Sequence, residues 1–191
     1  MTKAVLRNIY KQRRRLISSK EKSKWSDLLL INFQKIELPF IQCVHTYLAM
    51  YDQNEIDTQH ILGYLEFSNP GLLVSIPKIN DDTGQIEHYA YKDNMEMMIN
   101  NFGIDEPAGG EKVDATDIDV VLTPLIAFDK NGNRVGYGKG FYDKFLRQCR
   151  SDVIKIGLSF FEAEEAIDDI NQFDIPLNYC VTPQTIYHFK N

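Results

Sequence analysis

Asp119-Val-Val-Leu-Thr-Pro124 is the stretch on which the fold turns. Its apolar residues run together without alternation, the pattern of a strand covered on both faces. Cys43-Val-His-Thr-Tyr-Leu-Ala-Met50, Leu72-Leu-Val-Ser-Ile76 and Val153-Ile-Lys-Ile-Gly-Leu-Ser-Phe160 share that property, and Tyr179-Cys-Val-Thr182 reads as a last short strand. Helical patterns lie around them. Residues 3–17 form the first and residues 20–37 the second, centred on Trp25, Leu28, Leu29 and Phe33 and ended by Pro39. Residues 57–67 form a third between the first two strands, with Asp57 or Thr58 near its start, and Phe141 to Leu146 a short fourth. An acidic helix is expected after Phe160, and residues 102–117 are expected to be the longest loop. Apolar strands alternating with helices imply an α/β fold, a mostly parallel sheet between two helical layers.

A chain of 191 residues suits one domain, expected to span residues 1–191. With 43% hydrophobic and 25% charged residues it has ordinary globular composition, too apolar for a disordered chain. No apolar run approaches the ~20 residues of a membrane span, and the basic start lacks the apolar segment of a secretory signal. A cytoplasmic protein without a membrane partner is expected. Cys43, Cys149 and Cys180 show no Cys-x-x-Cys spacing and read as reduced core thiols. His45, His60, His88 and His188 show no metal spacing, and there is no Gly-x-Ser-x-Gly elbow.

Net charge is −6 but uneven: the first 24 residues carry +8 and the remainder −14. At 100° per residue Lys3, Arg7, Lys11 and Arg14 share one arc of the first helix, while Val5, Leu6, Ile9, Leu16 and Ile17 lie opposite and are expected to dock on the core. The basic stripe suits a polyanion: nucleic acid, a membrane surface or a nucleotide. The lack of interleaved aromatics weighs against nucleic acid.

The densest chemical signal is Arg134-Val-Gly-Tyr-Gly-Lys-Gly-Phe-Tyr-Asp143. Glycines at alternate positions let backbone N–H groups turn toward an anion, although the spacing is neither a P-loop nor a dinucleotide fingerprint. Arg134 and Lys139 add positive charge, and Asp143 is either a carboxylate for a Mg–nucleotide complex or an acid complementing the helix start. The preceding Asp129-Lys-Asn-Gly-Asn133 lacks the ligand spacing of a calcium loop and reads as a turn.

Taken in order, Lys3-Ala-Val-Leu-Arg7, Tyr47-Leu-Ala-Met50, Glu55-Ile-Asp-Thr58, Ile76-Pro-Lys78, Phe102-Gly-Ile-Asp-Glu-Pro107, Asp119 to Pro124 and the glycine loop resemble the 5-formyltetrahydrofolate cyclo-ligase (5,10-methenyltetrahydrofolate synthetase) family. The resemblance implies a fold related to sugar-phosphate isomerases and CoA transferases. It also implies Mg-ATP as cosubstrate and a reduced folate as substrate; no nucleic-acid partner and a monomer are expected. Lys139 and Arg134 are the implied catalytic cations. The implied ATP contacts are Lys3, Ala4, Val5, Leu6 and Arg7, together with Arg134, Val135, Gly136, Tyr137, Gly138, Lys139, Gly140, Phe141 and Tyr142. Folate contacts fall on Arg7, Leu48, Met50, Glu55, Tyr137, Gly138, Lys139, Gly140 and Phe141, and magnesium on Asp143 and Asp174. Tyr137 stands where an Arg is common, Phe141 where a Tyr is, Leu125 where a Gly is and Asn178 where an Asp is. These departures keep open a binder with weak or no turnover, beside another anion-handling enzyme of the same fold.

Overall fold

The computed structural model describes residues 1–190. In chain order the helices are α1 (Lys3–Arg15), α2 (Ser19–Phe33), α3 (Gln59–Ser68) and α4 (Phe141–Leu146). The strands are β1 (Cys43–His45), β2 (Leu73–Asn80), β3 (Gln85–Ala90), β4 (Met97–Ile99), β5 (Asp105–Pro107), β6 (Lys112–Val113), β7 (Val120–Thr123), β8 (Ala127–Phe128), β9 (Arg134–Val135), β10 (Ile154–Leu158), β11 (Tyr179–Val181) and β12 (Ile186–His188). Eight strands form one sheet in the order β12-β11-β10-β7-β1-β2-β3-β6. Its centre, β11 to β2, is parallel, with Val44 opposite both Val74 and Val120 and Ile154 opposite Val120. The outer strands β12, β3 and β6 are antiparallel. The chain is thus α/β with a mostly parallel central sheet.

Both faces of the sheet are covered, as unbroken apolar strands require. On one, Leu29 and Phe33 of α2 and Ile61, Leu62 and Leu65 of α3 pack with Val44, Leu122, Ile156 and Val181. On the other, Phe145 and Leu146 of α4 pack with Cys43, Val121 and Ile118. From β1 the chain crosses through α3 to β2 on one side, then returns to lay β7, β10 and β11 on the other. Strand order therefore reverses between β1 and β7, and in such sheets the crevice beyond the carboxyl ends at the reversal is where ligands bind.

Several elements differ from the sequence expectation. The first strand ends at His45, because residues 46–50 leave the sheet and turn around a buried carboxylate, Glu55, which accepts a hydrogen bond from Met50 N at 2.8 Å. The second runs on through Pro77 to Asn80, paired with the unforeseen β3. Residues 102–117 hold β5 and β6 rather than one loop. The acidic helix after Phe160 does not form. The β8–β9 hairpin draws that segment out instead: Glu164 N donates to Phe128 O (2.9 Å), Lys130 N to Glu164 O (3.0 Å) and Ile167 N to Asp129 Oδ2 (3.1 Å).

The docking face of α1 is also corrected. Val5, Ile9 and Leu16 are exposed, while Leu6, Tyr10 and Arg14 are buried. The helix lies on the seam between its apolar and basic arcs. Leu6 and Tyr10 pack on Ile126, Ala127, Val135 and Ile167. The Tyr10 hydroxyl donates to Glu164 Oε1 at 2.6 Å, and burial together with that carboxylate pushes the phenol up to about 12. The basic heads on the same side find oxygen acceptors in the body of the protein, which outweighs exposure of three aliphatic side chains. Among the described residues no helix is long and apolar enough to cross a membrane.

Candidate active site

A cavity of about 330 Å³ opens at the carboxyl ends of β1 and β7, at the reversal of strand order. Tyr47, Leu48 and Met50 enter it from the segment after β1, Pro124 follows β7, and the glycine loop after β9 closes one side. Pro77 and Ile79 of β2 with Phe102 and Ile104 before β5 form the facing apolar wall. Into this largely apolar space project Glu55, Glu106, Arg134, Lys139 and Asp143. An apolar pocket with a few convergent polar groups has the character of a small-molecule site.

Arg7 of α1 holds the loop. Its Nε donates to Gly136 O at 2.9 Å, and the guanidinium lies against Gly138, where an added Cβ would stand 3.4 Å from the guanidinium carbon. Gly138 has φ +94°, so a side chain there would meet both backbone strain and Arg7. Lys139 is exposed at the mouth, its ammonium 5.5 Å above the Phe102 ring, and among the described residues it has no carboxylate partner. A cation left unpaired beside a cavity is free to meet a ligand's charge.

Arg134 and Asp143 are paired with each other. Arg134 Nη2 donates to Asp143 Oδ1 at 2.8 Å and Nη1 donates to Ile175 O, while Ile175 N donates to the same Asp143 oxygen at 3.1 Å. Burial pushes the guanidinium pKa down and Asp143 opposes the shift. Asp174 Oδ2 accepts from Lys3 Nζ and from Asn171 N (2.8 Å). Both carboxylates offered for a metal thus lie around Arg134 and carry a cationic partner. Among the described residues no group of three or more His, Cys, Asp or Glu is arranged to hold a metal. Magnesium asks for less, one or two carboxylate oxygens with the rest from phosphate and water. Asp143 Oδ2 accepts no hydrogen bond among the described residues, so the donor set fits a metal that arrives with a nucleotide.

Glu55 lies at the back of the cavity, 3% exposed. The Tyr137 hydroxyl donates to Oε1, Met50 N donates to Oε2, and Arg14 Nη2 donates to the Tyr137 oxygen at 3.0 Å. Burial raises the Glu55 pKa, and these partners pull against it. Phe141 packs on Phe102 with ring centroids 5.9 Å apart. Tyr142 is pushed well up by burial, its oxygen 3.3 Å from His45 Nε2. The structure therefore brings Leu48, Met50, Glu55, Gly136, Tyr137, Lys139, Gly140, Phe141, Tyr142, Arg134 and Asp143 around one cavity, with Arg7 and Gly138 behind the loop. Val135 is buried in the β8–β9 hairpin, Leu6 is in the core, and Ala4 and Val5 face solvent.

Two buried charges had escaped the sequence. Glu106, 6% exposed, accepts from Ile79 N (3.2 Å) and Asn100 Nδ2 (2.9 Å) and makes no ion pair among the described residues. Its place in Phe102–Pro107 was visible as a motif but not as a cavity wall. Arg14 read only as one member of the basic stripe and is 6% exposed.

The comparisons with known proteins follow the same geometry. The family model of the 5-formyltetrahydrofolate cyclo-ligase family matches residues 1–183. The chain belongs to that family. The 5-formyltetrahydrofolate cyclo-ligase of Escherichia coli (strain K12) is 27% identical over 189 residues, 94% of this chain and 99% of its own. That of Haemophilus influenzae is 32% identical over 130 residues, 64% of this chain and 67% of its own. The NMR structure of Aquifex aeolicus 5,10-methenyltetrahydrofolate synthetase superposes with a TM-score of 0.80 at 26% identity, covering 100% of this chain and 94% of that one. The structure of this cyclo-ligase shows what one of the departures does: Leu125 is buried directly over Gly157, where an added Cβ would lie 2.5 Å from Leu125 Cδ2, so its side chain fills the space above that glycine.

Proposed function

We propose that the chain is an ATP-dependent 5-formyltetrahydrofolate cyclo-ligase that forms 5,10-methenyltetrahydrofolate with release of ADP and phosphate in the cavity beneath the glycine loop. The observation that carries this reading is that one cavity is lined by both the unpaired Lys139, on an Arg7-clamped loop, and the buried carboxylate of Glu55. An N-formyl group is an amide whose oxygen leaves poorly. Transfer of the γ-phosphoryl group to that oxygen forms the O–P bond and breaks the bond to ADP. Attack by N10 on the activated carbon then forms the C–N bond. The C–O bond breaks, and phosphate departs carrying the former formyl oxygen and the N10 proton.

The protein's share is positioning and charge stabilisation. Arg7 and the loop backbone hold the phosphates. Lys139 meets charge that develops on the transferring group, where one donor is typically worth ~3–4 kcal/mol. Glu55 receives hydrogen bonds from the folate ring. Leu48, Met50, Phe102 and Phe141 keep water from the activated ester. Asp143 and Asp174 are the carboxylates that would hold a magnesium ion arriving with the nucleotide, which when bound would neutralise phosphate charge. At about 330 Å³ the cavity suits the reacting ring system, with the nucleotide and the glutamate tail extending outside. The same reading takes the chain as one domain over residues 1–191, a cytoplasmic monomer without nucleic-acid or membrane partners. The parallel, doubly covered sheet supports its kinship with sugar-phosphate isomerases and CoA transferases.

Incubating the purified protein with Mg-ATP and 5-formyltetrahydrofolate, and following the ultraviolet absorbance of the methenyl product, tests the assignment. Product should accumulate one for one with ADP. A folded protein that makes none at saturating substrates is not a cyclo-ligase.

A further inference from the structure

The buried carboxylate of Glu55 takes part in no ion pair among the described residues, yet it faces the cavity in which the proposed chemistry occurs. The groups around it come from six parts of the fold. Arg14 stands on α1, Lys22 on α2, Tyr47 after β1, Asp52 in the turn at 51–53, Tyr137 in the glycine loop and Tyr142 on α4. Of these only Arg14 and Lys22 are cations. Lys22 is half-exposed and hydrogen-bonds to neither Glu55 nor Tyr137, whereas Arg14 is 6% exposed and donates to the Tyr137 oxygen at 3.0 Å. That hydroxyl spends its single proton on Glu55 Oε1. The positive charge of Arg14 therefore reaches Glu55 through one shared hydroxyl.

The local architecture fixes the relay at both ends. Asn54, beside Glu55, adopts φ +52° and donates from Nδ2 to Arg14 O (2.9 Å) and Ile17 O (3.2 Å), tying the end of α1 to the carboxylate's own segment. Two turns earlier, Arg7 on the same helix holds the glycine loop that carries Tyr137. Lys11 stacks its ammonium 5.1 Å from the Tyr137 ring and restricts the ring further. A buried arginine with so few polar partners is costly unless its charge serves a nearby anion.

We propose that Arg14, acting through the Tyr137 hydroxyl, is a positioning residue for Glu55: it holds the carboxylate in one orientation and as an anion, so that Glu55 can accept hydrogen bonds from the folate. The proposal rests on the folate reading of the cavity. It gives the tyrosine in the glycine loop a task of its own, since a phenol can pass on the charge of a cation standing one helix away.

The test compares Arg14→Met, Arg14→Lys, Tyr137→Phe and the Arg14→Met/Tyr137→Phe double variant. Tyr137→Phe removes the hydroxyl donor from Glu55, and Arg14→Met removes the cation behind that donor, so in either variant burial is less opposed and Glu55 protonates at higher pH. The acidic limb of kcat/KM for 5-formyltetrahydrofolate should then move up by about one pH unit, a roughly tenfold loss on the acid side that recovers at alkaline pH. KM for ATP should change less than about twofold on the same scale. Arg14→Lys should restore part of the shift, and the double variant should match Tyr137→Phe, because the hydroxyl is the link. Carbon-13 carboxyl titration of Glu55 by NMR reads the same shift without turnover, so it stands even if the enzyme assignment fails. Unshifted pH profiles and carboxyl titrations in Arg14→Met and Tyr137→Phe would overturn the proposal, as would additive shifts in the double variant. Should Arg14→Met not fold, Arg14→Lys and Tyr137→Phe decide the matter by the same readouts.

Discussion

Asp143→Asn separates two roles for one carboxylate. In the structure Asp143 neutralises Arg134, whose side chain is 5% exposed against 27% for its own. Removing one partner of a buried ion pair costs ~3–5 kcal/mol because the other charge is left uncompensated. Arg134 retains Ile175 O, and water reaches the exposed quarter of residue 143, so the loss should fall to ~2–4 kcal/mol. For a chain of this length that is a drop in Tm of roughly 4–16 °C. An acid that only complemented the start of a helix would give ~0.3–1 kcal/mol. The assay is urea and thermal unfolding in magnesium-free buffer, repeated in an Arg134→Met background where no charge remains to be stranded. There Asp143→Asn should cost less than ~1 kcal/mol. A loss below ~1 kcal/mol in the otherwise unaltered protein, or the same loss in both backgrounds, would refute the counter-ion role. Magnesium titrations at saturating ATP then read the metal role independently of stability: a rightward shift beyond that of Arg134→Met belongs to the metal.

Lys139→Ala should lower kcat by about 10²–10³ with little change in ATP binding, and a change below fivefold would make Lys139 a solvated loop charge. On α1, Leu6→Ala should destabilise by ~2–5 kcal/mol while Ile9→Ala, on the exposed side, changes stability by less than ~0.5 kcal/mol; equal losses in urea unfolding would mean the helix docks on its other face. His45 and His88 are buried and neutral, both lowered chiefly by burial, His88 to about 4. The unfolded chain takes up their protons near pH 6.5, so it binds more protons than the folded one as pH falls from ~6.5 to ~4, and stability should fall across that window by up to ~1.4 kcal/mol per unit for each ring. His88 makes no hydrogen bond among the described residues, so His88→Leu should flatten the pH dependence of Tm, and parallel curves for the two proteins would exclude it as a contributor.

What could be read in the sequence was what depends on local pattern. The cores of β1, β7 and β10 were visible because a doubly covered strand needs an unbroken apolar run, and the glycine loop because three alternate glycines stand together with Arg134, Lys139 and Asp143. The β3–β6 region was not, since its strands are short or polar and are held by pairing partners far along the chain. The run through Pro77 is legible only once β3 is seen beside it. On α1 two faces competed, and periodicity chose the aliphatic one. The side that docks is decided by Asp174, Gly136 O and Tyr137, more than a hundred residues away. Arg14 and Glu106 were hidden for the same reason, because burial of a charge is a property of its distant neighbours.

The central claim, that the formyl oxygen is activated by phosphorylation before N10 displaces it, is tested most directly with substrate carrying oxygen-18 in the formyl group. After turnover with unlabelled ATP in ordinary water, mass spectrometry of the released phosphate should find one oxygen-18 for each methenyl product formed. Unlabelled phosphate accompanying methenyl product would show that ATP is cleaved by water and that ring closure does not pass through a phosphorylated formyl oxygen.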